Sequence, residues 1–225
     1  MFEAVILAGG FGTRLSSISK GVPKPMMPIR GEPFLYRLMR NLEECGCEKI
    51  VLSLHYKSEL IISRVNADLP VKCLVEFVVE NEPLGTGGAL KKAAENISGQ
   101  KFISINGDTF VEIDYEEIYQ KSSLSDITIA GMIAGDSSRY GNLIVDEQGV
   151  VTDFNEKQLS GEGLINCGVY VLPTSQLFSF EKDRFSLEQD FFPSFQGRIR
   201  MYELTGLFID IGVPEDFLYA CKVLP

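Results

Sequence analysis

The chain has a single histidine, His55, among its 225 residues. Ser-His-Asp or Cys-His chemistry would have to run through that one ring. It sits inside VLSLHYK, near a strand end, with no evident partner for general-base work. Those catalytic classes are therefore disfavoured. No apolar run approaches the roughly 18 residues that a membrane span needs, so no membrane partner is expected. Met1 leads straight into a strand-like run, with no basic segment and no long apolar stretch of a secretory leader. Cysteine is sparse and odd in number: Cys45, Cys47, Cys73, Cys167 and Cys221. No second pair or histidine completes a zinc pattern around Cys45 and Cys47. Reduced thiols in a cytoplasmic protein are the expectation. Positive charge is short as well. The 21 Lys and Arg against 31 Asp and Glu give a net charge of -10. The isoelectric point near 4.7 argues against a nucleic-acid partner.

One window runs against this acidic background. Between Phe11 and Gly31 lie Arg14, Lys20, Lys24 and Arg30, and no acid. The window overlaps the run Leu7-Ala8-Gly9-Gly10-Phe11-Gly12-Thr13-Arg14-Leu15. Glycines at a strand end let the backbone come close to a ligand, and their amides can point at phosphate oxygens. A polyphosphate is the simplest partner. Two common nucleotide loops fit poorly. The dinucleotide fingerprint needs a third glycine where Leu15 stands, and an acid about 20 residues on. A Walker A loop needs Gly-Lys, and the chain has no such pair.

The rest of the chain alternates. Strand patterns at Ala4–Leu7, Lys49–Leu54, Lys72–Val79 and Phe102–Ile105 alternate with helical patterns at Pro33–Glu44, Glu59–Val65 and Gly87–Asn96. This predicts an α/β fold with a parallel sheet and helices on both faces. The second half reads as hairpins at Asp126–Ile133, Asn142–Asp146, Val150–Asn155 and Leu164–Leu172. A helix over Phe185–Phe195, strands at Arg198–Glu203 and Leu207–Ile211, and a closing helix from Pro214 to Val223 follow. No linker or repeat interrupts the chain, so one domain is expected over 1–225.

GGFGTRL followed by Lys24-Pro25-Met26-Met27-Pro28-Ile29 resembles the signature of the sugar-phosphate nucleotidyltransferases. The resemblance extends through Glu82-Pro83-Leu84-Gly85-Thr86-Gly87-Gly88-Ala89, Asn106-Gly107-Asp108, and Phe208-Ile209-Asp210-Ile211-Gly212-Val213-Pro214-Glu215-Asp216. The last segment departs from the family's pattern, with Phe208 for Trp and Val213 for Thr. The resemblance implies a Rossmann-like, three-layer mixed sheet, mostly parallel, with an inserted β-rich sugar-binding lid. It also implies a nucleotide-binding half over 1–110 and a sugar-phosphate half over 111–225. The implied reaction joins a nucleoside triphosphate to a sugar 1-phosphate and releases pyrophosphate. Because a phosphate oxygen attacks, charge neutralisation and in-line positioning matter more than proton transfer. That suits a chain with one histidine.

The resemblance assigns roles residue by residue. Arg14 and Lys24 are the implied catalytic cations. Leu7, Ala8, Gly9, Gly10, Gly12, Thr13, Glu80, Pro83, Gly85, Thr86 and Gly107 hold the nucleotide. Tyr140, Gly141, Glu156, Lys157 and Asn166 hold the sugar phosphate, with Asn166 equally readable as a satisfied core group. Asp108 and Asp210 are the implied Mg²⁺ ligands, since hard oxygens suit that ion. At Glu80 a carboxylate suits the two adjacent donors of guanine, N1–H and N2–H₂, so GTP is the expected triphosphate. Within the family, LGTGGAL and FIDIGVPEDF most resemble guanylyltransferases of D-glycero-α-D-manno-heptose 1-phosphate, with the mannose 1-phosphate enzymes close. A nucleotide-sugar sensor on the same fold is a second class, but it has no need of the whole transfer apparatus. The apolar helix faces suit either a homodimer or the core.

Overall fold

The computed structural model describes residues 1–155 and 161–224. In chain order, strand β1 (Phe2–Leu7) leads to a short helix α1 (Ser16–Ser19) and a small hairpin of β2 (Pro28–Ile29) and β3 (Glu32–Pro33). Then come α2 (Phe34–Glu44), β4 (Cys47–Leu54), α3 (Ser58–Ala67), β5 (Leu74–Val79), α4 (Gly85–Ala94) and β6 (Lys101–Asn106). The second half holds β7 (Thr109–Val111), α5 (Tyr115–Lys121), β8 (Ile127–Ala134), β9 (Asn142–Val145), β10 (Val151–Asn155) and β11 (Gly163–Pro173). The chain continues through α6 (Thr174–Ser179), β12 (Ile199–Glu203), β13 (Phe208–Asp210) and α7 (Pro214–Val223).

One mixed sheet runs through both halves. Strands β5, β4, β1 and β6 pair in parallel, in that order. β11 lies antiparallel on β6, β8 antiparallel on β11, and β12 parallel on β8. The β9–β10 hairpin joins at β11. Alternating side chains feed two cores. Ala4, Ile6, Ile50, Leu52, Ile103 and Ile105 face one, under Leu35, Leu38, Met39 and Leu42 of α2, Ile61 of α3 and Ala220 of α7. Val5, Val51 and Phe102 face the other, under Leu90, Ala93 and Ala94 of α4 and Leu177 of α6. This is the three-layer arrangement that the alternating pattern implies, with parallel pairing among β5, β4, β1 and β6.

Two expected helices differ. The one expected from Gly87 starts at Gly85. Leu84 accepts from Phe185 N–H at 3.0 Å, while Gly87 and Gly88 N–H donate to Phe185 O at 2.9 and 3.2 Å. The helix start is fixed by a distant segment that the local sequence does not reveal. The helix expected over Phe185–Phe195 is instead a π-turn at Leu187–Phe191 followed by a 3₁₀ turn at Phe192–Phe195. Pro193 has no N–H to continue an α-helical ladder. Phe191 N–H reaches back five residues to Ser186 O, at 3.1 Å.

Candidate active site

The site gathers at the carboxyl ends of the parallel strands. Leu7 pairs with Asn106 on one side and with Ser53 on the other. Glu80, just past β5, donates its N–H to Leu54 O at 2.8 Å. The glycine run, His55, Glu80 and the Asn106-Gly107-Asp108 turn therefore leave the sheet side by side. That is where ligands bind in open α/β sheets. Leu7, Ala8, Gly9, Gly10, Lys24, Glu80, Pro83, Gly85, Thr86, Gly107 and Asp108 line a cavity of about 300 Å³ there. Phe11, Pro25, Ser53, His55, Ala89 and Asn106 complete its wall. Phe11, Pro25, Ala89 and Asn106 lie inside the motifs already quoted, whereas Ser53 and His55 end a strand with no motif of their own.

Close packing explains the glycines. A Cβ on Gly9 would lie 3.2 Å from Glu80 Oε1, and one on Gly107 would lie 2.8 Å from Leu7 O. Gly12 has φ +61 and packs on Lys24. Gly12, Thr13 and Arg14 stand outside the cavity wall. Arg14 is exposed, and its guanidinium Nη2 would lie 3.5 Å from a Cβ on Gly212.

A second cavity of about 400 Å³ is lined by Tyr140, Gly141, Asn166 and Asp210 among others. Asn106 lines both cavities, so the two meet at the β6 strand end. Glu156 and Lys157 lie outside the described residues. Asn166 sits where β11 bulges: its Oδ1 accepts from Gly168 N–H at 2.9 Å, and its Nδ2 donates to Tyr170 Oη at 3.0 Å. It is thus satisfied within the protein and still faces the cavity. The sequence reading missed Arg139, Asn142, Tyr170 and Glu188, which also line this cavity. Tyr170 and Asn142 belong to apolar strand patterns, and Glu188 belongs to a stretch read as an ordinary helix.

A two-stranded antiparallel sheet that the pattern did not reveal joins the cavities. β13 pairs with β7, setting Asp210 opposite Thr109, and Ile211 N–H donates to Asp108 O at 2.9 Å. Two aspartates about a hundred residues apart in sequence become neighbours. Lys24 is 9% exposed, salt-bridges Asp108 and lies 3.7 Å from Asp210 Oδ1. That Oδ1 is buried with no hydrogen-bond partner. Burial, and then the charge of Asp108, push the Asp210 carboxyl above the usual range, against the pull of Lys24, the Gly212 backbone and Arg14. An unsatisfied carboxylate oxygen beside a second carboxylate is a fit for a hard cation. Among the described residues no group of three or more His, Cys, Asp or Glu forms a metal cluster. Two carboxylates with phosphate oxygens match the way Mg²⁺ is usually held.

The raised Asp210 carboxyl has a consequence for stability. Its folded pKa lies above the unfolded one, so its stabilising contribution is complete in acid and lost as pH rises through the folded value. Where that carboxyl is ionised, the ligand-free enzyme carries a buried charge at a net cost. Asp210→Asn should therefore melt above the wild type at neutral pH, with the gap closing in acid. Thermal melts across that range check this, and a lower melting point at neutral pH would contradict it.

All five cysteines are free, and burial pushes the Cys47 and Cys167 thiols up to about 12. His55 Nδ1 is 3.0 Å from Glu80 O, so the ring braces the backbone at Glu80.

Two cavities that meet at the carboxyl ends of a largely parallel sheet, beside a nearly buried lysine and two aspartates, mark the site, and the comparisons give its class. The model of the nucleotidyl transferase family matches residues 3–222, and the chain belongs to that family. It is a nucleotidyltransferase, and enzymes of this family typically use a divalent metal. The chain is 38% identical to a D-glycero-α-D-manno-heptose 1-phosphate guanylyltransferase of Campylobacter jejuni, over 96% of this chain and 97% of that protein. It is 36% identical to the enzyme of the same name from Aneurinibacillus thermoaerophilus, over 99% and 98%. The crystal structure of HddC from Yersinia pseudotuberculosis superposes with a TM-score of 0.93 at 47% identity, covering both chains fully. A structure of HddC complexed with GMP-PN gives 0.92 at 48%, again over both full chains. No helix among the described residues is long and apolar enough to cross a membrane.

Proposed function

We propose that this enzyme transfers a guanylyl group from GTP to D-glycero-α-D-manno-heptose 1-phosphate and releases pyrophosphate. The observation that carries the proposal is the junction of two cavities at Asn106, with Lys24, Asp108 and Asp210 gathered beside it. The near full-length likeness to two heptose 1-phosphate guanylyltransferases supports the choice of sugar. The GMP-PN complex of HddC supports the choice of base.

The triphosphate occupies the first cavity, with its phosphates against the backbone of Leu7, Ala8, Gly9, Gly10, Gly12 and Thr13. Pro83, Gly85, Thr86 and Gly107 frame the nucleoside. Glu80 accepts Leu84 N–H on Oε2 at 3.0 Å and keeps Oε1 beside Gly9. That arrangement leaves acceptor capacity for guanine N1–H and N2–H₂. The sugar phosphate enters the second cavity, against Tyr140, Gly141, Asn166 and, by the family's pattern, Glu156 and Lys157. Its phosphate oxygen attacks the α-phosphorus in line, and the bond from that phosphorus to the bridging oxygen breaks as pyrophosphate leaves. Lys24 neutralises charge developing at the α-phosphate, and Arg14 engages the leaving pyrophosphate. Asp108 and Asp210 would hold Mg²⁺, which supplies charge neutralisation of the triphosphate. Residues 1–110 thus serve the nucleotide and 111–225 the sugar phosphate. The reading carries a cytoplasmic location, in keeping with free thiols, and accommodates a monomer or a homodimer.

Pyrophosphate release across a grid of triphosphates and sugar 1-phosphates tests this. GTP with the heptose 1-phosphate should give the highest kcat/KM. A preference for mannose 1-phosphate, or for UTP or dTTP, would overturn the corresponding half. Within the grid, Glu80→Gln should lose GTP preference by roughly 10–100-fold, the worth of charged hydrogen bonds. Full GTP preference in that variant would remove Glu80 from base recognition.

A further inference from the structure

Glu188 is the most heavily bonded carboxylate near the site without an assigned task. It sits on the π-turn at Leu187–Phe191, a distortion that often marks functional positions. Its Oε2 accepts from Thr86 Oγ1 and from Ser186 Oγ, both at 2.9 Å. Buried Tyr170 lines the same cavity, and burial, then the charge of Glu188, raise its hydroxyl above the usual range. No salt bridge to Glu188 occurs among the described residues. Two hydroxyl donors hold a carboxylate in place, with no cation paired to it among the described residues.

Two further facts give the placement meaning. Glu188 and Asp210 are the carboxylates among the described residues that line the second cavity. Asp210 is engaged with Lys24 at the junction, so among the described residues Glu188 is the carboxylate facing that cavity without a charged partner. Its Thr86 partner lines the first cavity and starts α4, while Thr86 Oγ1 also accepts Leu187 N–H at 2.9 Å. On the other side, Tyr170 Oη accepts from Asn166 Nδ2. The Thr86–Glu188 bond thus joins the wall of the first cavity to the wall of the second.

We infer that Glu188 is a specificity-determining residue that accepts hydroxyl groups of the sugar 1-phosphate, and that its bond to Thr86 ties sugar recognition to the nucleotide loop. The inference rests on the proposed use of the second cavity for the sugar. A carboxylate prearranged by two hydroxyls accepts further hydroxyl donors at little reorganisation cost. A polyol is the ligand that supplies them, whereas a phosphate group would be repelled. Glu188 therefore addresses the part of the sugar away from its phosphate.

The test is steady-state kinetics of Glu188→Gln and Thr86→Val with the sugar 1-phosphate that the wild type uses best. Glu188→Gln keeps the shape and should lower kcat/KM for the sugar phosphate roughly 10–100-fold, with KM for GTP changed less than about threefold. A series of monodeoxy sugar 1-phosphates locates the hydroxyl. One deoxy analogue should lose rate with the wild type and lose little more with Glu188→Gln. Thr86→Val should weaken discrimination among sugars in the same direction, by less. Equal rises in both KM values would show that Glu188 only braces the loop and would overturn the inference. So would an unchanged sugar KM, or a deoxy series with independent losses. Should Glu188→Gln fail to fold, Glu188→Asp with the deoxy series gives the same reading. A wild type that turns over no sugar 1-phosphate contradicts the proposed function instead, and is seen before any variant is made.

Discussion

Asp108→Asn should abolish turnover, lowering kcat by at least about 10²–10³-fold, the usual loss when one preorganised electrostatic contact is removed from such a site. The variant should keep its fold. Asp108 is about one-third exposed, at 33%, and its structural tie is a backbone one: Ile211 N–H donates to its carbonyl oxygen. That bond survives the substitution, and so does pairing between β7 and β13. What changes is charge. Lys24, nearly buried, loses its salt-bridge partner and is left with Asp210 at 3.7 Å. Two carboxylates become one, and the pull on a hard cation falls with them. Pyrophosphate release measured beside a thermal melt reads both sides. Wild-type rates would rule out a metal or charge-setting role for Asp108, and a collapsed melt would mean that the residue is structural.

Gly85→Ala should lower the melting temperature by about 6–12 °C. Gly85 has φ +76, where an L-residue is strained, and a Cβ there would lie 2.5 Å from Phe185 O. That oxygen accepts from Gly87 and Gly88 N–H, so moving it loosens the first turn of α4. Left-handed strain of about 1–2 kcal/mol plus two weakened hydrogen bonds of about 1 kcal/mol each gives about 3 kcal/mol. For a chain of this size each kcal/mol shifts the midpoint by about 2–4 °C. Gly10→Ala is the control. It has no positive φ and open space around it, so its melt should match the wild type. Equal melts for Gly85→Ala and wild type would contradict the packing account.

The glycines of LGTGGAL show what could be read from the sequence and what could not. Their clustering points to a loop beside a ligand, and Gly85 lines the first cavity. Their geometric necessity comes from elsewhere. Ideal Cβ atoms on Gly87 and Gly88 would fall 2.1 Å from the Phe185 ring and 2.2 Å from Asp183 O, contacts made about a hundred residues on. Likewise, alternating apolar residues give β1, β4, β5 and β6, because buried parallel strands carry their own pattern. The pairing of β7 with β13 has no such local signature, yet it sets Asp108 beside Asp210. The π-turn that presents Glu188 depends on docking against α4, where Phe185 O and Thr86 Oγ1 take the linking hydrogen bonds. Local periodicity fixes elements; the junction of the two cavities is made by contacts distant in sequence.

The most direct test is to identify the products of one incubation by ³¹P NMR and mass spectrometry. The enzyme is mixed with GTP, D-glycero-α-D-manno-heptose 1-phosphate and Mg²⁺. The account predicts GDP-heptose and pyrophosphate in equal amounts, with none formed when the sugar phosphate is left out. Inorganic phosphate and GDP in place of pyrophosphate, or no reaction, would contradict it.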